Sequence, residues 1–115
     1  MAAILKIRIA NGKLTAMGPG KADLLEAIHS TGSISAAAKS MRMSYRRAWE
    51  LVDAMNQCFK EPLVVTSPGG SHGGGTQMTD FGFHILKCYR TIEAKTQAAA
   101  AVELLEITEQ FKKIE

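Results

Sequence analysis

The side chains best equipped for chemistry are concentrated in the run Ser44-Tyr45-Arg46-Arg47-Ala48-Trp49. Each arginine carries a planar fork of donors that can bond both acceptors of a guanine edge or grip phosphate oxygens. Tyr45 and Trp49 add flat, largely apolar faces able to pack on a sugar or a thymine methyl. A second set lies downstream, where residues 69–75 read GGSHGGG. Here Ser71, His72, Gly73 and Gly74 offer small hydroxyl, imidazole and bare backbone groups that can lie along phosphates or enter a minor groove. The chemistry both sets can do is noncovalent recognition of nucleic acid.

Covalent chemistry finds less support. Asp23, Glu26, Glu50 and Asp53 form no paired acid and base, and His29, His72 and His84 are scattered without a nucleophile at a credible spacing. Cys58 and Cys88 belong to no metal-ligand pattern and read as reduced thiols. The glycine-rich run is not a nucleotide cradle either, because Gly75 is followed by Thr76-Gln77-Met78 where a phosphate-binding loop needs Lys and then Ser or Thr. No catalytic residue, metal or cofactor is therefore expected.

Elements that would position these groups can be read in order. Leu5, Ile7 and Ile9 alternate with Lys6 and Arg8, and Asn11-Gly12 supplies two positive φ values, so a β-hairpin is expected over 4–17. Lys6 and Arg8 can touch DNA phosphates, but a solvated face is the preferred reading. Leu24, Leu25 and Ile28 recur at helical spacing over 20–31, with Gly32 as a C-terminal cap. Ser33 caps a short alanine-rich helix over 34–41, which includes Ser35, and Ser44 caps a second helix over 45–59 after a brief turn. Ala48, Leu51, Val52, Met55 and Phe59 share the buried side of that helix, which leaves Arg46 opposite them and Arg47 and Trp49 on the flanks. This spacing predicts a helix-turn-helix whose second helix enters the major groove N-terminus first. Leu63 to Ser67 and Thr76 to Met78 then predict a hairpin wing over 63–79. Thr79 caps a long helix over 80–115 with apolar residues to Ile114, and the alanines near 97–101 leave a bend between two helices open. An apolar face of that length wants a partner, most economically a second copy.

The strings SISAAAKSMRMSYRRAWELVDAMN and EPLVVTSPGGSHGGGTQMTDFG, together with the Asn11-Gly12 hairpin, resemble the N-terminal domain of the molybdate-responsive ModE regulators. That domain is itself similar to the DNA-binding domains of LysR-type regulators. The resemblance covers residues 4–95 and implies a bacterial winged helix-turn-helix transcription factor, mainly α with small β, dimeric and bound to a palindromic operator. It places Ser35 to Ala38 on the positioning helix, Ser44 to Trp49 at the start of the recognition helix and Gly69 to Gly75 in the wing. Nothing here resembles the family's C-terminal oxyanion sensor, so molybdate binding is not expected and signal input would fall to a separate effector-sensing protein.

The whole-chain properties fit one domain of 115 residues, cytoplasmic and without a membrane span or secretion signal. Its net charge of +3 is uneven: residues 1–60 hold nine Lys or Arg against four Asp or Glu, and residues 61–115 hold five against seven. The polyanion-facing surface is thus expected in the first half, with double-stranded DNA as partner, and the second half is left for self-association. The competing expectation is a protein-interaction module that uses its terminal helix and touches nucleic acid weakly or not at all.

Overall fold

A turn at Gly12-Lys13 joins β1 (Ile9–Asn11) to β2 (Leu14–Met17) as an antiparallel hairpin in which Asn11 faces Leu14. The structure is a computed structural model that describes residues 5–67 and 75–112. Only Gly12 of the turn has a positive φ, +61°. The expectation of positive φ at both Asn11 and Gly12 is therefore corrected: Asn11 stays extended, and its side-chain amide donates to the Cys58 carbonyl at 3.2 Å. Ladder pairing also begins later than the alternation suggests. Leu5 and Ile7 are half-buried and Lys6 and Arg8 exposed, but the Ile7 carbonyl accepts from the Tyr89 hydroxyl at 2.7 Å and not from a neighbouring strand.

Pro19 then starts α1 (Pro19–Thr31), at the position where a missing N–H costs nothing. Gly32 ends it with φ +78°, its N–H returning to the Ile28 carbonyl at 2.8 Å. The Ser33 hydroxyl accepts from the Ala36 N–H at 2.9 Å and opens α2 (Ile34–Ser40). A four-residue turn follows, in which Arg42 takes the left-handed conformation at φ +57°. Ser44 accepts from the Arg47 N–H at 3.0 Å and opens α3 (Tyr45–Cys58). Ala37, Ala38 and Ala48 are all buried where α2 and α3 meet, so little more than methyl groups separates the two backbones. Leu24, Leu25 and Ile28 of α1 close the core over Ile34, Val52 and Met55. Helix α3 stops one residue short of the expected 45–59, because Phe59 is extended and its ring packs edge-on against Phe81.

Strands β3 (Val64–Thr66) and β4 (Thr76–Met78) form a second antiparallel pair, with Val64 opposite Met78 and Thr66 opposite Thr76. Asn56 fastens this pair to α3. Its side-chain oxygen accepts from the Leu63 N–H at 2.8 Å, and its side-chain amide donates to the Val64 carbonyl at 3.0 Å. On the other strand, the Thr76 N–H donates to the Gly32 carbonyl at 2.9 Å, which ties the hairpin to the α1–α2 junction.

Thr79 caps α4 (Asp80–Ala99) through a bond from the Gly82 N–H, with Asp80 in the first turn where the helix dipole favours an acid. From α4, Arg90 reaches three carboxylates at 2.8–2.9 Å: Asp23 and Glu26 on α1, and Glu93 on its own helix. The single helix expected over 80–115 is divided, since Ala100 leaves the helical region at ψ 10° and α5 (Ala101–Thr108) follows. Three of the four alanines at 98–101 are exposed, so no packing holds the two segments on one axis. The radius of gyration is 16.7 Å, against about 13 Å for a compact chain of this length. None of α5 is buried. The result is a mainly helical fold with two small antiparallel sheets, and none of its described helices is long and apolar enough to cross a membrane.

Candidate nucleic-acid interface

The first turns of α3 are held by the Ser44 cap and by Ala48, which is wholly buried against α2 and α1. Because a helix turns 100° per residue, burying Ala48, Val52 and Met55 forces the neighbouring positions outward. Tyr45 and Trp49, one turn apart, are 56% and 48% exposed, and the Arg46 side chain is 89% exposed. Arg46 contacts Glu50 at 3.5 Å. Between side chains this exposed such a pair is worth little, so a phosphate or base edge can take the guanidinium at small cost. Asp53, further along, is occupied as an acceptor for the Gln57 side chain at 2.8 Å. Ser44 differs in role from its neighbours, since its oxygen is engaged as the helix cap, while Ser35 stands exposed on α2.

Arg47 departs from the Arg46 face. It lines a cleft of about 400 Å³ between the N-terminal hairpin, the first turn of α1 and α3, together with Arg8, Thr15, Gly18, Lys21, Met43 and Leu51. Arg8, Lys21 and Arg47 are therefore gathered around one opening. None of the three has a carboxylate within ion-pair distance among the described residues. Burial lowers the Lys21 pKa from its ordinary value; Cys58 opposes this, and the charges of Arg47 and Arg8 lower it further. The cleft is thus an electropositive recess with no carboxylate paired to its cations among the described residues.

Of the residues expected to contact nucleic acid, the structure brings Ser44, Tyr45, Arg46, Arg47 and Trp49 together at one end of α3 and places Ser35 separately on α2. Ser71, His72, Gly73 and Gly74 lie outside the described residues. The sequence reading singled out neither Lys21 nor Asn56, and it preferred a solvated role for Arg8 over a contact with DNA phosphates. A signal for Lys21 was present: α1 has no acid in its first turn, and a cation there runs against the helix dipole. Asn56 carried no comparable signal, because its partners are backbone groups fixed only when β3 docks. Among the described residues, no group of three His, Cys, Asp or Glu side chains is placed to hold a metal ion.

No family model matches the chain. It is 48% identical over 85 residues to the molybdenum transport protein ModE of Azotobacter vinelandii, which covers 74% of this chain and 32% of that protein. It is 46% identical over 78 residues to the molybdenum-pterin-binding protein MopB of Rhodobacter capsulatus, covering 68% and 29%. Over 81 residues it is 36% identical to the DNA-binding transcriptional dual regulator ModE of Escherichia coli K12, covering 70% and 31%. The chain is therefore related to the ModE and MopB proteins over about 70% of its length, and it spans about a third of the length of these relatives.

Proposed function

We propose that this relative of the ModE proteins is a sequence-specific DNA-binding regulator of transcription, built as a winged helix-turn-helix. In this reading α2 and α3 are the positioning and recognition helices, and β3 and β4 are the stem of the wing. Arg46 reads base edges from the major groove, and Tyr45 and Trp49 pack on sugar or thymine methyl beside it. The observation that carries the reading is the exposed Tyr45, Arg46 and Trp49 set at the capped end of α3, in a chain related to proteins named as DNA-binding regulators. A cytoplasmic location follows from that role.

The same reading includes a homodimer through α4 and α5. Val102, Leu105, Ile107 and Phe111 are each more than half exposed, and Ile92 is exposed on α4. A two-fold axis through this surface would set two recognition helices about 34 Å apart, which makes the operator an inverted repeat. The test is selection of bound fragments from random duplex DNA, followed by sequencing. An inverted repeat enriched over bulk sequence is the expected outcome, and recovery of unselected sequence would sink the reading.

The exposed α5 face also favours a second reading, a protein-interaction module that uses this surface to recruit a different protein. It predicts a monomer in solution and no sequence selection in the same experiment.

A further inference from the structure

We propose that the cleft framed by Arg8, Lys21 and Arg47 is a phosphate seat, filled by one phosphodiester of the bound duplex. The source of the phosphate rests on the DNA-binding reading; the seat itself rests on the geometry of the cleft. Three cations from three separate segments, α1, α3 and the chain leading into β1, line one recess of about 400 Å³. Like charges brought together repel unless an anion sits among them, and no carboxylate of the described residues does so. Lys21 is partly withdrawn from water as well, at a cost that Cys58 offsets in part and the charges of Arg47 and Arg8 increase. A tetrahedral oxyanion offsets both penalties at once, because its oxygens accept from several donors and its charge cancels part of theirs.

The backbone around the cleft is suited to the same ligand. The N–H groups of Gly20 and Lys21, in the first turn of α1, lack intrahelical acceptors, and Gly18 has no side chain to cap them. Gly18 also keeps the wall thin: a β-carbon there would rest in ordinary contact with the Arg8 side chain at 3.6 Å. The consequence for recognition is a division of labour between adjacent arginines. Both arginines are exposed, but only Arg47 also lines the recess with Arg8 and Lys21: Arg46 reads bases, and Arg47 fixes the register of α3 on the backbone.

Lys21→Gln and Arg8→Gln test the seat without touching the solvent face of α3. Binding of a mixed-sequence duplex is followed by fluorescence anisotropy over a salt series, after thermal melting has shown each variant folded like the parent. Each variant is expected to bind several-fold more weakly, with the slope of log affinity against log salt falling by about 1. Unchanged slopes in both variants, with a parent that binds duplex, would overturn the seat and leave the DNA-binding reading standing. If the parent binds no duplex, the DNA-binding reading fails and inorganic phosphate becomes the probe. Saturable shifts of the Gly20 amide resonance in the parent, weakened in Lys21→Gln, then support an oxyanion seat, and their absence overturns it.

Discussion

Gly82, in the first turn of α4, lies directly against the Leu63 carbonyl, and a β-carbon at this position would overlap the carbonyl oxygen. The approach is fixed from both sides. The Thr79 N–H donates to the same carbonyl at 3.0 Å, the Thr79 hydroxyl donates to the Pro62 carbonyl at 2.8 Å, and that hydroxyl accepts from the Gly82 N–H at 2.9 Å. Thr79 and Gly82 thus lock the start of α4 onto the segment that enters β3. The obstacle is backbone, which cannot swing aside as a side chain would. Gly82→Ala is expected to lower stability by about 1–3 kcal/mol, the usual cost of overpacking, and chemical denaturation would measure it. A change within experimental error would show that α4 can shift away from Leu63.

The Asn56 clamp predicts a sharper loss than its half-buried surface suggests. Asn56→Ala removes the acceptor for the Leu63 N–H and the donor to the Val64 carbonyl, at the point where β3 leaves α3. Unsatisfied backbone groups at partly buried sites cost about 1–3 kcal/mol. The expected result is a loss in that range, with faster hydrogen exchange at the Leu63 amide. Asn56→Asp keeps the acceptor and loses only the donor, so it should fall between the parent and Asn56→Ala.

Tyr89 links pH to folding. Burial raises its pKa above the ordinary value of 10.0, with Glu93 adding to the rise. The unfolded chain therefore releases this proton first as pH rises, and the folded state holds more protons through the window that begins near pH 10. Stability contributed by Tyr89 is fully present below that pH and is lost on the way up through its folded pKa. Tyr89→Phe should cost about 1 kcal/mol at neutral pH, through the lost bond to the Ile7 carbonyl. It should also flatten the alkaline limb of stability against pH. An alkaline limb identical in parent and variant would mean that another group governs it.

Adjacent arginines should fail in different ways. Arg46→Ala is expected to weaken binding to a selected operator by about 1–3 kcal/mol while leaving bulk duplex almost unaffected, as the loss of a base contact does. Arg47→Ala should weaken both about equally, as the loss of a backbone contact does. Competition gel shifts with operator and scrambled duplex would separate these outcomes, and equal behaviour of the two variants would refute the division of labour.

Self-association should depend on α5. Ile107→Glu places a charge among the exposed apolar side chains of α5, a helix with no buried residue, so it should not disturb the fold. Sedimentation equilibrium is expected to show a dimer for the parent and a monomer for the variant. A parent that stays monomeric at high concentration would favour the interaction-module reading.

What the sequence determined by itself was local. Ser33, Ser44 and Thr79 can be identified as caps because a short hydroxyl side chain reaches N–H groups only two or three residues ahead, and Gly32 is legible as a helix stop because few other residues accept φ +78°. The burial of Ala48, Val52 and Met55, and with it the exposure of Arg46, follows from helical period alone. The tertiary structure decided whatever depends on chain ends that are remote in sequence. Tyr89 meets Ile7 across 82 positions, Asn56 finds its partners only when β3 docks, and Arg8 joins Lys21 and Arg47 only when a hairpin, a helix start and a second helix converge. Periodicity reports which side of an element faces inward, but it carries no information on which element lies across the gap. That is why the sequence puts Arg47 on a flank of α3, and only the fold shows that this flank lines a cleft with Arg8 and Lys21.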